Sequence, residues 1–417
     1  MLNKLTNNRY YFFGFFLLIW VLVQWLSGSL ALSFNENCKT EDAFSYVESA
    51  KWLLNGDYPW FRAVGYPLLL VPFIYLFGEN GTIVIFTIIH LACWLLTVRL
   101  IYITLQIWKI SAKIAFLASF IFAITISNIL TTNHLLTETI YSFLLLLSIY
   151  LTAMWLKNNN YKYTGYIFIV LLVSALIRPL GLNFYYASVI ILILGVIKGN
   201  YKLIPYFTLS AFMLFGHIFI MKKHHHTTQI CLSKNHALYH YLYMKVSHYP
   251  NLNASSYEPQ FFKESASLDS TIIDQPYFLA YRDSIYNNRN KAMFSTHKYA
   301  TLKTMYVNFK DEIWTGYSNH HLAKNWVYQL STVQHVAIIF LYPLLCLIFI
   351  LTILFKKIRE RALVIWLTLC LGVIGYICLG SSLVFWYGDR LHLPFYSLII
   401  MVCFIIFSAI TKNREST

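Results

Sequence analysis

The sequence predicts an all-α membrane protein that crosses the bilayer several times. Of its 417 residues, 58% are apolar and 18% are aromatic, and the mean hydropathy is +0.56. Soluble domains rarely have such a composition, whereas polytopic membrane proteins commonly do. The formal charge of +15 comes without a basic helix, an RNA-binding signature or zinc-finger spacing, so nucleic acid is not expected as a partner.

Ten apolar segments are close to the length that a bilayer requires, about 17–25 residues. They lie at 11–33, 82–106, 113–131, 137–156, 162–178, 181–198, 203–221, 334–355, 362–384 and 391–411. The first segment is longer than the apolar core of a signal peptide and lacks a cleavage pattern. We therefore expect about ten transmembrane helices, the first of them retained.

The loops between these segments predict the orientation. Lys or Arg occurs in each connection that would be cytoplasmic if both termini were cytoplasmic, and these connections are 108–113, 157–162, 198–202, 356–361 and the tail 412–417. The positive-inside rule therefore favours cytoplasmic termini. The remaining regions, 34–81, 131–138 and 222–333, are then external. This divides the chain into a transmembrane module (1–221), an external subdomain (222–333) and C-terminal helices (334–417).

Two of the external regions contain amphipathic patterns. In the first, helical spacing relates Ala43, Tyr46, Val47, Ala50, Leu53 and Leu54. This stripe predicts an interfacial helix that begins near Thr40 and ends near Gly56. The apolar run 65–78 is too short to span and is expected to be interfacial or re-entrant. The large region is polar, rich in Tyr and too long for a connector. Its predicted amphipathic helix contains Met293, Tyr299, Leu302, Tyr306, Phe309 and Ile313.

Seven ionisable or helix-breaking residues fall at the external face in this topology. They are Asp42, Arg62, Glu138, Arg178, Pro179, Asp389 and Arg390. Ionisable groups at the membrane edge are costly and commonly mark functional sites. Their collection at one face predicts a single polar active site there.

Four motifs resemble those of the GT-C glycosyltransferases, in particular the bacterial relatives of protein mannosyltransferases and aminoarabinose transferases. The first external region has an acidic residue, a Tyr, an amphipathic helix and then a basic residue before a Gly-Tyr-Pro step. The motifs are Glu41–Ala50 with Arg62–Leu70, Leu136–Tyr141, Ile177–Leu182 and Gly388–Pro394. Their order and spacing are similar to the family over residues 10–200 and 335–411, whereas 222–333 is not matched in detail.

The resemblance implies an inverting transferase with Asp42 as the general base, and Glu41 is the nearest rival for that role. From the residues alone, Asp42 can equally cap the start of its helix. The resemblance places Arg62 against the phosphate of the donor, with Arg178 and Arg390 as further candidates, because guanidinium groups suit phosphate. The alternative for these arginines is snorkelling or pairing with Glu138 or Asp389. Residues expected to bind or orient substrate are Glu138, Tyr46, Tyr66, His134, Asp389 and His392.

The resemblance also implies the partners and the location. The donor is a polyprenyl (undecaprenyl) phosphate sugar, and the acceptor hydroxyl belongs to a glycolipid, a polysaccharide or a protein on the periplasmic side of a bacterial inner membrane. No P-loop is present, so no nucleotide is expected. Arginines can offset the phosphate charge without a metal, although some relatives carry a divalent ion. The run His224–His226 is not expected to hold one, because consecutive side chains on a loop do not converge on one ion.

Two other classes of function remain open at this stage. A polysaccharide ligase or polymerase also uses lipid-linked donors, but its essential basic and His residues tend to lie in a late large loop. A lipid or sugar transporter favours charges near mid-bilayer and inverted repeats, and the sequence shows neither. A disulfide between Cys38 and Cys231 is possible in an oxidising compartment, and the sequence alone does not decide it.

Overall fold

The computed structural model describes residues 8–30, 32–37, 41–197, 199–243, 245–246, 267, 277–313, 324–354, 358, 360–382 and 392–412. Within these ranges the chain consists of helices and their connections, with no β-strand. The prediction of an all-α protein is confirmed.

The first half of the chain contains eight helices. They are α1 (Arg9–Ser27), α2 (Phe34–Asn37), α3 (Glu41–Leu54), α4 (Gly65–Ile107), α5 (Ala112–Ala123), α6 (Ile126–Leu130), α7 (Glu138–Asn158) and α8 (Tyr161–Ile177). The second half contributes α9 (Leu182–Ile197), α10 (Ile204–His225), α11 (Ser233–Leu238), α12 (Phe278–Thr296), α13 (Lys298–Ile313), α14 (Asn325–Leu354), α15 (Arg361–Ser382) and α16 (Leu393–Lys412).

Each of the ten predicted spans corresponds to helix. Among the described residues, eight helical stretches are long and apolar enough to cross a membrane, and they contain α1, α4, α7, α9, α10, α14, α15 and α16. The predicted segment 113–131 is the bent pair α5–α6, with an angle of 68° at the break, and 162–178 is the shorter helix α8. The chain is therefore a polytopic membrane protein by length and composition of its helices.

The helix α4 is longer than the predicted span 82–106. It begins at Gly65, includes Pro72, and has non-helical backbone angles at Gly78 (φ 66°, ψ −175°). Glycine tolerates this positive φ, which other residues rarely adopt. The predicted interfacial run 65–78 is thus the first arm of a broken helix. Its position relative to the bilayer stays a prediction.

The link 131–138, predicted to be external, is buried within the protein, and its side of the membrane stays a prediction. Residues 125–142 are all buried, and they include the short helix α6 and a 3₁₀ turn at Thr131–Asn133. The segment 113–131 bends after α5 and folds back into the protein, where Trp20 Nε1 donates to Thr132 Oγ1 (2.8 Å). Tertiary hydrogen bonds satisfy the polar Thr and Asn side chains of this link inside the bundle.

The region 222–333 also corrects one prediction. The stretch from Met293 to Ile313 is two helices, α12 and α13, separated at His297. Met293 is buried, but Tyr299, Leu302 and Tyr306 are 82%, 65% and 68% exposed. These three side chains of α13 are therefore largely exposed, whereas Met305 and Phe309 of the same helix are half-buried.

Candidate active site around Asp42 and Arg62

The helix α3 positions the first candidate residues. Ala43, Val47 and Ala50 are fully or almost fully buried, and Tyr46 is 7% exposed. They pack against α4 in one apolar cluster that also contains Tyr66, Leu70, Ile83 and Phe86. The predicted amphipathic helix is confirmed for its first three turns. Its last stripe residue, Leu54, is exposed, and the chain turns away at Gly56 with φ of 86°.

Asp42 and Arg62 form an ion pair between the start of α3 and the loop before α4. The carboxylate Oδ1 accepts from Arg62 Nη2, and their side chains are only 13% and 17% exposed. Ser45 Oγ accepts from Arg62 Nε (2.7 Å) and donates to the backbone carbonyl of Asp42 (2.8 Å). Because Ser45 lies one helical turn after Asp42, its hydroxyl joins both partners of the pair.

Two aromatic rings flank the Arg62 guanidinium. Its central carbon lies 4.8 Å from the centre of the Tyr46 ring and 4.9 Å from that of Phe61. Such cation–π contacts are strongest where water is excluded. They orient the guanidinium plane, and an arginine held in this way is preorganised for a planar or bidentate anionic ligand.

Tyr46 connects this pair to a buried polar chain behind it. Its ring packs edge-on against that of Tyr66 (4.9 Å between centres). The Tyr66 hydroxyl lies 3.3 Å from His90 Nε2, and His90 Nδ1 lies 3.3 Å from the backbone oxygen of Thr132. Tyr66 of α4 therefore contacts α3 through Tyr46 and, through His90, the buried 131–134 turn.

Glu138 and Arg178 form a second and deeper pair. Their closest approach is 3.3 Å, between Arg178 Nη1 and Glu138 Oε1, and the Glu138 side chain is 1% exposed. The Arg178 guanidinium also lies 5.6 Å from the centre of the Tyr141 ring. The predicted pairing of Arg178 with Glu138 is therefore present in the structure, whereas the other predicted partner, Asp389, lies outside the described residues.

A small polar cavity lies beside Glu138. Its volume is about 10 Å³, which is close to the space that one water molecule needs. The residues that line it are Trp94, Thr97, Phe122, Asn128, Thr131, Glu138, Thr139, Ser142 and Leu393. The Glu138–Arg178 pair, called the inner pair below, is thus bordered by hydroxyl, amide and indole groups and not only by apolar side chains.

The Asp42–Arg62 pair lies near the start of α4, and the Glu138–Arg178 pair lies near the end of α8. Arg62 precedes Gly65, the first residue of α4, by three positions, and Arg178 directly follows Ile177, the last residue of α8. A Cβ atom on Gly65 would lie 2.7 Å from the Leu176 carbonyl oxygen. This backbone contact joins the start of α4 to the end of α8, the two elements next to which Arg62 and Arg178 lie.

The remaining predicted site residues have different surroundings. His134 is buried in the turn before α7. His392 is fully buried at the start of α16, where its ring stacks on that of His335 (5.0 Å), and the next residue, Leu393, lines the cavity beside Glu138. Asp389 and Arg390 lie outside the described residues, as does Cys38, so their predicted roles stay predictions.

Residues of the region 222–333 contact the loop that carries Arg62. The backbone N–H of Leu232 donates to the Trp60 carbonyl (2.9 Å), and His225 Nε2 lies 2.6 Å from the Tyr58 carbonyl oxygen. The ring of His236 packs edge-on against Phe61 (5.1 Å between centres). Burial and the neighbouring Arg282 and Arg62 charges lower the pKa of His236 to about 3.

Asp283 of α12 binds two residues of the segment that contacts the loop of Arg62. Its carboxylate accepts from the side-chain amides of Gln229 (2.5 Å) and Asn235 (3.0 Å). Burial raises the pKa of Asp283, and the two amides oppose that shift.

Three residues at the site, Ser45, Phe61 and His236, were not predicted from the sequence. Only Ser45 had an available signal, its position one turn after Asp42.

The described residues contain no group of three His, Cys, Asp or Glu side chains placed to hold a metal ion. His224 and His225 have ring centres 6.2 Å apart at the end of α10, and the His226 ring lies instead on Tyr277 (3.7 Å). The three consecutive histidines therefore point to different neighbours.

Comparison with known proteins identifies no family for the chain. No protein-family model matches the sequence. No curated protein sequence matches it either. Among solved structures, the archaeal oligosaccharyltransferase AglB from Archaeoglobus fulgidus, in complex with an inhibitory peptide and a dolichol-phosphate, is similar over 96% of this chain, with a TM-score of 0.42 and 13% identity. This chain spans 50% of that one. A similarity at this level assigns no function to this chain.

Proposed function

We propose that this chain is an integral-membrane inverting glycosyltransferase. It would move a sugar from a polyprenyl phosphate to an acceptor hydroxyl at the external face of the membrane. The observation that carries the proposal is the pairing of Asp42 with Arg62, two semi-buried charges that the family resemblance assigns to the general base and to the donor phosphate. A protein gains little stability from such a pair, since desolvation offsets the attraction.

The residues divide the reaction between them. Asp42 accepts the proton of the acceptor hydroxyl, whose oxygen attacks the anomeric carbon from the face opposite the phosphate. The new glycosidic bond forms as the bond between that carbon and the phosphate oxygen breaks, and the polyprenyl phosphate leaves with the electron pair. Arg62 offsets the charge that develops on the leaving phosphate. Arg178 would do the same from the inner pair, with Arg390 as a further candidate.

The two ion pairs show how the arginines are held in the protein without its substrate. Each guanidinium is held by a carboxylate, Arg62 by Asp42 and Arg178 by Glu138. A donor phosphate competes for Arg62, and its binding would release the Asp42 carboxylate to face the acceptor. The aromatic rings of Tyr46 and Phe61 keep the guanidinium in place during that exchange.

Lipid mass spectrometry in cells tests the proposal. Cells that carry Asp42→Ala in place of the wild-type protein should accumulate one polyprenyl-phosphate sugar and lose that sugar from a surface glycolipid, polymer or protein. Asp57→Ala is the matched control, because Asp57 is an exposed carboxylate in the same external region. Unchanged lipid-linked sugars with Asp42→Ala, at a normal amount of protein, would contradict the transferase function or reduce Asp42 to a helix cap. Comparison with Arg62→Ala then separates these two cases.

A further inference from the structure

The helix α13 buries three polar side chains and exposes three large aromatic or apolar ones. Thr301, Thr304 and Asn308 are 2%, 7% and 0% exposed, and their i, i+3, i+7 spacing places them on the inner face. The Asn308 side chain accepts from buried Lys245 (3.0 Å). Surface helices of soluble proteins normally turn their apolar stripe inward.

The outer face of α13 combines aromatic and basic side chains. Tyr299, Leu302 and Tyr306 also follow the i, i+3, i+7 spacing and are 82%, 65% and 68% exposed. Lys303 and Lys310 are exposed and lie on the same side of the helix, four and eleven residues after Tyr299. Tyrosine rings and long basic side chains are the groups that suit the boundary between lipid headgroups and acyl chains.

The helix α13 lies beside two candidate membrane spans, α14 and α15. An apolar cavity of about 420 Å³ separates α13 from α14 and α15, and Tyr306 and Phe309 line it together with Tyr342 and Leu379. Leu379 lies in the last turn of α15, which ends at Ser382. Gly375 and Cys378 also line the cavity, so α13 faces the last two described turns of α15.

From these observations we propose that the outer face of α13 is a membrane-contact surface. Tyr299, Leu302 and Tyr306 enter the lipid boundary of the leaflet at this side, and Lys303 and Lys310 contact the phosphates of anionic lipids. The charge of the face is complementary to anionic headgroups, and its apolar residues continue the lipid-facing surface of the adjoining spans. This surface does not depend on the proposed transferase activity.

Photo-crosslinking of the full chain in lipid nanodiscs tests the proposal. Tyr299, Leu302 and Tyr306 are replaced one at a time by p-benzoylphenylalanine, which keeps an aromatic side chain at each position. The matched controls are Ser284 and Asn288, exposed positions on the neighbouring helix α12. After irradiation in nanodiscs that contain phosphatidylglycerol, mass spectrometry should detect lipid adducts at the three α13 positions and not at the two controls. Equal lipid labelling at all five positions, or none at α13, would overturn the proposal. So would adducts of α13 to a second copy of the chain or to another protein.

Charge reversal tests the basic component separately. In Lys303→Glu and Lys310→Glu, the preference of the α13 adducts for phosphatidylglycerol over phosphatidylcholine should fall by about fivefold per lysine. Lys291→Glu, an exposed lysine on α12, should leave that preference unchanged. An unchanged preference in the two α13 variants would show that anionic lipid is not recognised there. Because the readout is a ratio measured in folded protein within one nanodisc preparation, a loss of expression does not imitate the expected result.

Discussion

The backbone of Gly65 lies directly against the backbone of Leu176. A Cβ atom at position 65 would lie 2.7 Å from the Leu176 carbonyl oxygen and 3.0 Å from the amide nitrogen of Ile177. Only hydrogen fits between the two chains at that distance. This contact joins the start of α4 to the end of α8, and it therefore sets the separation of the loops that carry Arg62 and Arg178.

Gly65→Ala should force α4 and α8 apart, because the obstructing atoms belong to the backbone and cannot rotate away. We expect a destabilisation of about 1–3 kcal/mol, measured as a lower midpoint of thermal unfolding in detergent, together with loss of transfer in cells. The control is Gly372→Ala in α15, where no atom lies within 4 Å of the added Cβ. That variant should be neutral or slightly stabilising, since alanine favours helix. Equal effects of the two variants would contradict the proposed role of the contact.

The buried pair of Glu138 and Arg178 should be far more sensitive than an exposed pair. Arg178→Ala leaves the carboxylate of Glu138 (1% exposed) without its counter-charge, and breaking a buried pair in this way costs about 3–5 kcal/mol. In the exposed pair of Lys157 and Glu360, the Glu360 side chain is 45% exposed. Glu360→Ala should therefore cost less than about 1 kcal/mol. Unfolding midpoints of both variants in the same detergent provide the measurement, and similar shifts would argue against a buried ion pair.

Acidification should loosen the contact between His236 and the loop of Arg62. The pKa of His236 in the folded protein is about 3, below its ordinary value near 6.5. Only the undocked state then binds a proton as pH falls through about 6.5, so the docked state loses stability below that pH and keeps it above. The loss between pH 7.5 and 5.5 should be about 1.4 kcal/mol.

Hydrogen exchange of the segment 57–62 measures this opening, because Leu232 and His236 both contact it. Protection should decrease at the lower pH after correction for the intrinsic pH dependence of exchange. In His236→Phe, which keeps an aromatic ring against Phe61 but cannot bind a proton, the additional decrease should disappear. Its persistence in that variant would assign the effect to another group.

The hydroxyl of Ser45 should position Arg62 for a phosphate. Ser45→Ala removes the acceptor of the Arg62 Nε–H (2.7 Å), and a hydrogen bond to a charged group contributes about 1.5–3 kcal/mol. If Arg62 binds the donor phosphate, the affinity of the purified protein for undecaprenyl phosphate should fall by about tenfold or more. Ser45→Thr keeps the hydroxyl and should restore most of the affinity. In an Arg62→Ala background, Ser45→Ala should have no further effect, and an additive loss would contradict action through Arg62.

Much of the architecture could be predicted from the sequence because its signals are local. Hydrophobic length determined where the spans lie, and each of the ten predicted segments is helical. Helical spacing determined α3 and the burial of Ala43 and Val47, since residues one turn apart share a face. The charged residues Asp42, Arg62, Glu138 and Arg178 were also visible from the sequence, because ionisable groups beside apolar runs are rare.

The pairing of those charges was decided only by the tertiary structure. Asp42 with Arg62, and Glu138 with Arg178, are contacts between separate elements, and no local periodicity encodes which carboxylate meets which guanidinium. The same holds for the burial of the 131–138 link, where hydrogen bonds from α1 and α4 replace water as partners of its polar groups. The exposure of Tyr299, Leu302 and Tyr306 on α13 was likewise decided by the tertiary structure. A helical pattern shows which residues share a face but not what covers that face. Local sequence specifies each helix and its faces, and packing between distant helices selects the partners of those faces.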